Sequence, residues 1–151
     1  MSRTTVLRTV NASPAQVLNL ILDFERYSSF VPGVRRVRVK PVPSTRCPEA
    51  AEVEALLKNS KFSGTLRVHV EMDRPAGRIL VNHRFGPFKT LAIGFNVAAL
   101  SSQSTEIRCD VDAVSAMPAV NAILVEHLKV AAVAYADVFE RELSKIAPAP
   151  G

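Results

Sequence analysis

The sequence predicts an α+β fold: a curved antiparallel sheet of about six or seven strands, with two short N-terminal helices and a long C-terminal helix over an apolar cavity. Three observations point there. A helix-start signature lies near the N-terminus, period-two alternation runs through the middle of the chain, and one apolar stripe at helical spacing marks its end.

Thr4 to Val10 is the first strand candidate. Ser13-Pro14-Ala15-Gln16 then combines a capping serine, proline at the first helical position and glutamine two residues later, which starts a helix running to about Leu22. Phe24 to Val31 is a second short helix or turn, stopped at Pro32-Gly33.

Beyond Val34 the period becomes two. Val37 and Val39 alternate with Arg36, Arg38 and Lys40, and Ala51, Val53, Ala55 and Leu57 alternate with Glu52, Glu54 and Lys58. After a turn at Lys58-Asn59-Ser60-Lys61, the residues Phe62, Gly64, Leu66, Val68, Val70 and Met72 share one face. Pro75-Ala76-Gly77 turns the chain, and Ile79, Val81, His83 and Phe85 continue the inner face as far as Gly86-Pro87. Leu91, Ile93, Phe95 and Val97, then Ile107, Cys109, Val111 and Ala113, complete it. Pairing Met72 with Ile79, Val70 with Val81 and Leu66 with Phe85 matches apolar to apolar and sets His83 inside, opposite Val68. A bulge at Gly77 would instead oppose His69 and His83.

The last element starts with Pro118 in its first turn and runs to about Ile146. Val120, Ile123, Leu124, His127, Leu128, Ala131, Ala134, Tyr135, Val138 and Phe139 form its stripe, with Glu126, Lys129, Asp137, Glu140 and Ser144 opposite. At ~1.5 Å per residue such a helix is roughly 40 Å long, enough to cross strands of about ten residues.

At 151 residues, with 48% hydrophobic and 22% charged content, the chain reads as one domain over residues 1–147 with a frayed tail at 148–151. No uninterrupted apolar stretch reads as a signal or a membrane span, so the expected location is the cytoplasm. Cys47 and Cys109 are too few for structural zinc and too far apart for a redox pair; two reduced, buried thiols are expected, with no metal and no cofactor. A net charge of +5 is compatible with an acidic partner but is also ordinary solubility. The absence of Trp argues against a base-stacking surface, and no DNA partner is expected.

The order of elements resembles the START/polyketide cyclase superfamily, whose fold is the helix-grip. Ser13-Pro14-Ala15-Gln16-Val17, Asp23 to Pro32 and Gly86-Pro87-Phe88-Lys89-Thr90-Leu91 are similar to stretches of its branch of coenzyme Q-binding proteins and ribosome association toxins. The chain departs from that branch at Gly33 and Phe95, where the branch usually has Trp, and at Asp110 to Val114, where it has a Phe-rich strand. The resemblance implies non-enzymatic binding or transport of a polyprenyl quinone (ubiquinone) or another lipid, with no enzyme activity. Small inward residues leave room for such a ligand: Gly64, Ala51, Ala55, Ala99, Ala113, Ala131 and Ala134.

The residues expected to line the cavity are His83, Phe95, Val111, Leu124, His127, Ala131 and Tyr135, the two histidines offering hydrogen bonds to a quinone carbonyl or lipid head group, or else serving as satisfied core residues. Tyr27 is a candidate for the cavity mouth. Arg36, Arg38, Lys40, Lys58, Lys61, Arg67 and Arg84 form a basic outer sheet face, which is either a solvated face or a contact for the inner face of a membrane or for the ribosome. Asp110 and Asp112 read as surface charges rather than a catalytic pair. Two alternatives to the carrier remain: a ribosome-binding inhibitor of subunit association, and a polyketide aromatase/cyclase, which would need inward acids, bases and an arginine.

Overall fold

The computed structural model describes residues 2–31, 33–42, 49–58, 63–86, 88–115, 133–134 and 136–145. The chain runs β1 (Ser2–Val10), α1 (Pro14–Leu22), a 3-10 turn (Phe24–Arg26), α2 (Tyr27–Phe30), β2 (Val34–Pro41), β3 (Glu49–Lys58), β4 (Ser63–Asp73), β5 (Arg78–Phe85), β6 (Phe88–Ser101) and β7 (Ser104–Ser115). Residues 133–134 and 136–145 are helical. The expected turn at Asn59 to Lys61 and most of the expected Pro118 to Ile146 helix lie outside the described residues.

Helix α1 starts where the sequence marks it. The Ser13 hydroxyl accepts from the Gln16 backbone N–H at 3.2 Å, and the Gln16 side-chain oxygen accepts from the Ser13 N–H at 2.9 Å. Two N–H groups that helix geometry leaves unpaired are thereby satisfied. Val17, Leu18, Leu20 and Ile21 are buried against the sheet.

The seven strands form one antiparallel sheet in the order β1-β7-β6-β5-β4-β3-β2. Strands β1 and β2, neighbours in sequence, are therefore the two opposite edges of the sheet. The segment 11–33 that joins them carries α1 and α2 and contributes Val17, Leu20, Ile21 and Phe24 to the same buried cluster as the inner-face residues Val53, Val68, Val70, Ile79 and Val81. Topology alone thus drapes the helices over one face of the sheet.

The β4–β5 register pairs Met72 with Ile79, Val70 with Val81 and Val68 with His83. The register then shifts between Arg67 and Val68, so Phe85 stands opposite Arg67 and not Leu66. Phe85 leaves the inner face where the alternation placed it. Its ring is 59% exposed and lies 5.8 Å beneath the Arg67 guanidinium, a cation–π contact on the outside of the sheet. A one-residue bulge flips every later side chain, and the apolar pattern alone does not report it. Two of the small residues expected inside, Ala99 and Ala134, are exposed, whereas Ala51 and Ala113 are buried.

The outer face is less basic than the run of Lys and Arg suggests. Register sets Arg38 opposite Glu54 and Lys40 opposite Glu52. Arg67 meets Glu54 at 2.7 Å, His69 meets Glu52 at 2.8 Å, and Arg84 lies 3.9 Å from Glu52. Strand β3 therefore interleaves carboxylates among the cations of its neighbours. Among the described residues, no helix is long and apolar enough to cross a membrane.

Gly77 closes the β4–β5 turn at φ +67°, a left-handed conformation that side chains disfavour. Its carbonyl accepts from the Val97 N–H at 2.8 Å, and a Cβ built on it would lie 2.2 Å from the Val97 carbonyl oxygen. The turn is thus clamped onto β6. Gly77→Ala is expected to destabilise the fold by roughly 2 kcal/mol or more, combining the left-handed penalty with the backbone collision; an unchanged urea midpoint would refute this account of the turn.

Candidate functional site

The inner face of the sheet and the helices enclose a cavity of about 340 Å³. Alternating strand residues supply its floor: Val6 from β1, Val37 from β2, Val53 and Ala55 from β3, Leu66 and Val68 from β4, Val81 from β5, Leu91, Ile93 and Phe95 from β6, and Ile107, Cys109 and Val111 from β7. Leu20, Ile21, Phe24 and Tyr27 cover it from the N-terminal helices. Ala136, Phe139, Glu140 and Leu143, spaced as one helical face, close it from the C-terminal segment.

An aromatic cluster holds that cover together. The Tyr27 ring lies edge-on to Phe24 at 5.4 Å, Phe30 at 5.7 Å and Phe139 at 5.4 Å between centroids, and Phe30 meets Phe139 at 5.4 Å. The Tyr27 hydroxyl donates to the Ile21 carbonyl. Burial, reinforced by the Asp23 carboxylate, pushes the Tyr27 pKa well above that of an ordinary phenol, so the hydroxyl stays a donor. Arg26 adds an ion pair to Glu142 at 3.1 Å, with only 12% of the Glu142 side chain exposed.

Polar groups in the wall are few and sit towards the rim. Arg8 shares the inner face of β1 with Val6 and Val10, and its guanidinium reaches Asp137 at 3.1 Å and Glu140 at 3.7 Å. Glu140, expected on the outer polar side of the last helix, instead lines the cavity beside Phe139. Arg8 was legible: it occupies an inward position in the Val6, Arg8, Val10 alternation, but a reading that collects only apolar residues passes over it. Cys109, expected to be buried, is half-buried in the wall, and burial together with the neighbouring Asp110 pushes its thiol up to about 11. Cys47 lies outside the described residues.

Of the residues expected to line the cavity, Phe95 and Val111 do so. His83 points inward opposite Val68, but it stands outside the ring of lining residues. Its ring lies edge-on to Phe88 at 6.2 Å, and its Nε2 is buried without a hydrogen-bond partner among the described residues. Leu124, His127, Ala131 and Tyr135 lie outside the described residues.

Asp110 and Asp112 keep to the opposite face. Asp110 accepts from the Thr5 hydroxyl at 2.6 Å and meets Arg108 at 3.1 Å, which hold its carboxyl below the ordinary range. Among the described residues, no group of three or more His, Cys, Asp or Glu is arranged to hold a metal ion.

This architecture, a sheet wrapped over helices around an apolar hollow, is that of the START-like proteins. Residues 10–136 match the family described as polyketide cyclase / dehydrase and lipid transport, and the chain belongs to that family. Its fold is similar to that of a START superfamily protein from Mycobacterium smegmatis, with 15% identity, a TM-score of 0.83, and coverage of 97% of this chain and 100% of that one. It is also similar to the Zhui aromatase/cyclase from Streptomyces sp. R1128 (13% identity, TM-score 0.82, 99% and 97% covered). An 18 kDa protein from Caulobacter crescentus is 23% identical, with a TM-score of 0.79 and 97% and 98% covered. No curated protein matches the chain in sequence.

The expectation of no enzyme activity is corrected by these neighbours. An aromatase/cyclase is built on this fold, and the family joins cyclases and dehydrases to lipid transport. A fold that performs chemistry by shaping and orienting a substrate needs no nucleophile motif, so the lack of one in the sequence excludes nothing.

The Cys109 thiol offers a direct probe of the wall. A thiol held protonated to about 11 is a poor nucleophile near neutral pH. In a Cys47→Ser background, alkylation of native Cys109 at about pH 8 is expected to be at least tenfold slower than after unfolding. The folded pKa lies above the unfolded one, so stability is fully present below about pH 8.5 and falls as the pH rises towards 11. Equal alkylation rates in the native and unfolded protein would contradict this environment.

Proposed function

We propose that this protein binds a small hydrophobic ligand in the cavity beneath α1, α2 and the C-terminal helix, the ligand being a quinone or another lipid. The observation that carries the reading is the volume of about 340 Å³ walled by aliphatic side chains from all seven strands. That volume falls within the range of roughly 300 to 1,000 Å³ of ligand pockets. A quinone ring or a medium-length acyl chain is of the class of ligand such pockets take. Phe95 and Val111 supply apolar contact, whereas His83, its Nε2 buried with no partner among the described residues, stands outside the lining. The mixed charges of the outer face give a ribosome-binding role no comparable support.

A second reading is favoured by one observation, the Arg8 and Glu140 side chains in an otherwise apolar wall. Such a pair could orient and polarise a carbonyl-rich substrate for cyclisation. Turnover of a polyketide-like substrate that is lost in Arg8→Gln while ligand binding persists would select this reading over carriage alone.

The cavity is tested by filling it. Ala55 and Ala136 both line it, so Ala55→Trp or Ala136→Trp is expected to lower the affinity for a short-chain quinone at least tenfold while the melting temperature holds. If the space is needed for native packing, the same changes cost roughly 1 to 3 kcal/mol in stability. Undiminished binding in both variants, or no binding by the wild type, would overturn the proposal.

A further inference from the structure

A second recess opens beside the apolar cavity, and its chemistry is of the opposite kind. It is lined by Ser28, Ser29, Phe30, Val31, Gly33, Val34, Arg35 and Lys58, where the chain leaves α2, turns, and enters β2 next to the end of β3. Two of these residues, Val31 and Val34, also line the apolar cavity. The recess and the cavity therefore share a wall.

From that wall outwards the described lining carries two cations, Arg35 and Lys58, and no carboxylate. This separates it from the outer sheet face, where cations alternate with the glutamates of β3. Both cationic side chains are exposed, and neither makes an ion pair within 4.0 Å among the described residues. The backbone beneath them is fixed. Gly33 turns at φ +84°, its carbonyl accepts from the Lys58 N–H at 2.8 Å, and the Val31 N–H donates to the Tyr27 carbonyl at 2.8 Å. The stems of Arg35 and Lys58 are thus held at neighbouring positions. The Ser28 hydroxyl lines the same recess, whereas the Ser29 hydroxyl donates to the Arg26 carbonyl at 2.6 Å and has no proton left for a ligand.

We infer that this recess is an anion subsite for a phosphate group, with Arg35 and Lys58 neutralising its charge and the Ser28 hydroxyl donating to one of its oxygens. Phosphate fits because guanidinium and ammonium groups together match its several acceptor oxygens and its charge. The inference rests on the cavity reading in one respect: where the phosphate belongs to an amphiphile, the attached chain passes over Val31 and Val34 into the apolar space. The preferred ligand is then a phosphate monoester of a medium-length alkyl or isoprenoid chain. Free inorganic phosphate would use the same donors without the chain.

Dodecanol, dodecyl phosphate and inorganic phosphate separate these cases, with affinities measured by calorimetry on the wild type and on Arg35→Gln/Lys58→Gln. The substituted side chains are exposed, so the variant is expected to keep the wild-type melting temperature. Wild type should bind dodecyl phosphate roughly tenfold more tightly than dodecanol, the margin expected from two charge-assisted contacts at an exposed site. That preference should shrink with added salt and vanish in the variant, while dodecanol binding stays unchanged. Binding of inorganic phosphate that is lost in the variant, with no gain from the dodecyl chain, keeps the subsite and assigns it to free phosphate. Equal affinity for dodecanol and dodecyl phosphate, with no binding of inorganic phosphate, overturns the subsite and leaves the cavity reading intact. Loss of dodecanol binding in the wild type overturns the cavity reading alone, because inorganic phosphate still reports on Arg35 and Lys58.

Discussion

The Tyr27 side chain bridges three parts of the chain: the end of α1, the short helical turns that follow it, and the C-terminal helix. Its hydroxyl donates to the Ile21 carbonyl, which ties the second helical turn back onto the end of α1. Its ring is then fixed edge-on to Phe24, Phe30 and Phe139, so the C-terminal helix is seated against the N-terminal pair. A buried phenol needs a partner for its proton, and here the partner is a carbonyl at a helix end that has no intrahelical donor of its own. One hydrogen bond thus satisfies two groups.

The topology makes a cover over the sheet unavoidable. With β1 and β2 at opposite edges of one sheet, the chain between them has to cross a face. The Ser13 capping box begins the crossing helix directly after β1, and Gly33 releases it directly before β2. Among the described residues, the charged groups that approach the interior include Arg8 with Asp137 and Glu140, and Arg26 with Glu142, which lie between the C-terminal helix and the elements it packs on. Charge is costly in an apolar interior and much cheaper where solvent screens it. The pairs therefore sit at the rim, where they align the last helix without crossing the cavity.

Most of this was legible in the sequence, for reasons that differ by element. Helix α1 was readable to its ends because capping chemistry is local, and Ser13, Pro14 and Gln16 are neighbours. The β4–β5 register was readable as far as His83 because apolar residues pair across it. It failed at Phe85, since a bulge depends on how two strands bend past one another and leaves no mark in the alternation. Ala99 failed because alternation assigns a face and not its burial, and Ala134 because the face of the last helix turned to the cavity is that of Ala136, Phe139 and Leu143. Phe95 and Val111 were found from parity alone. Arg8 was missed because a charged residue at an inward position reads as an exception until its partner, more than a hundred residues away, is seen to meet it, and Glu140 because the apolar stripe assigned it to the outer side of the last helix.

What distinguishes one member of such a family from another is then the placement of a small number of polar groups around a common hollow. The strands can exchange one aliphatic residue for another at little cost as long as volume and parity are kept, so the floor carries little information about the ligand. Polar groups carry more, because each one that faces the cavity must find a partner in the ligand or in the protein. Among the described residues the charged groups in the cavity lining are Arg8 and Glu140, at the rim against the last helix, while the His83 Nε2 is buried outside it and Arg35 and Lys58 line the neighbouring recess. A ligand of the proposed kind, apolar in its body and polar at one end, would meet the aliphatic lining with its body and Arg8, or Arg35 and Lys58, with its polar end.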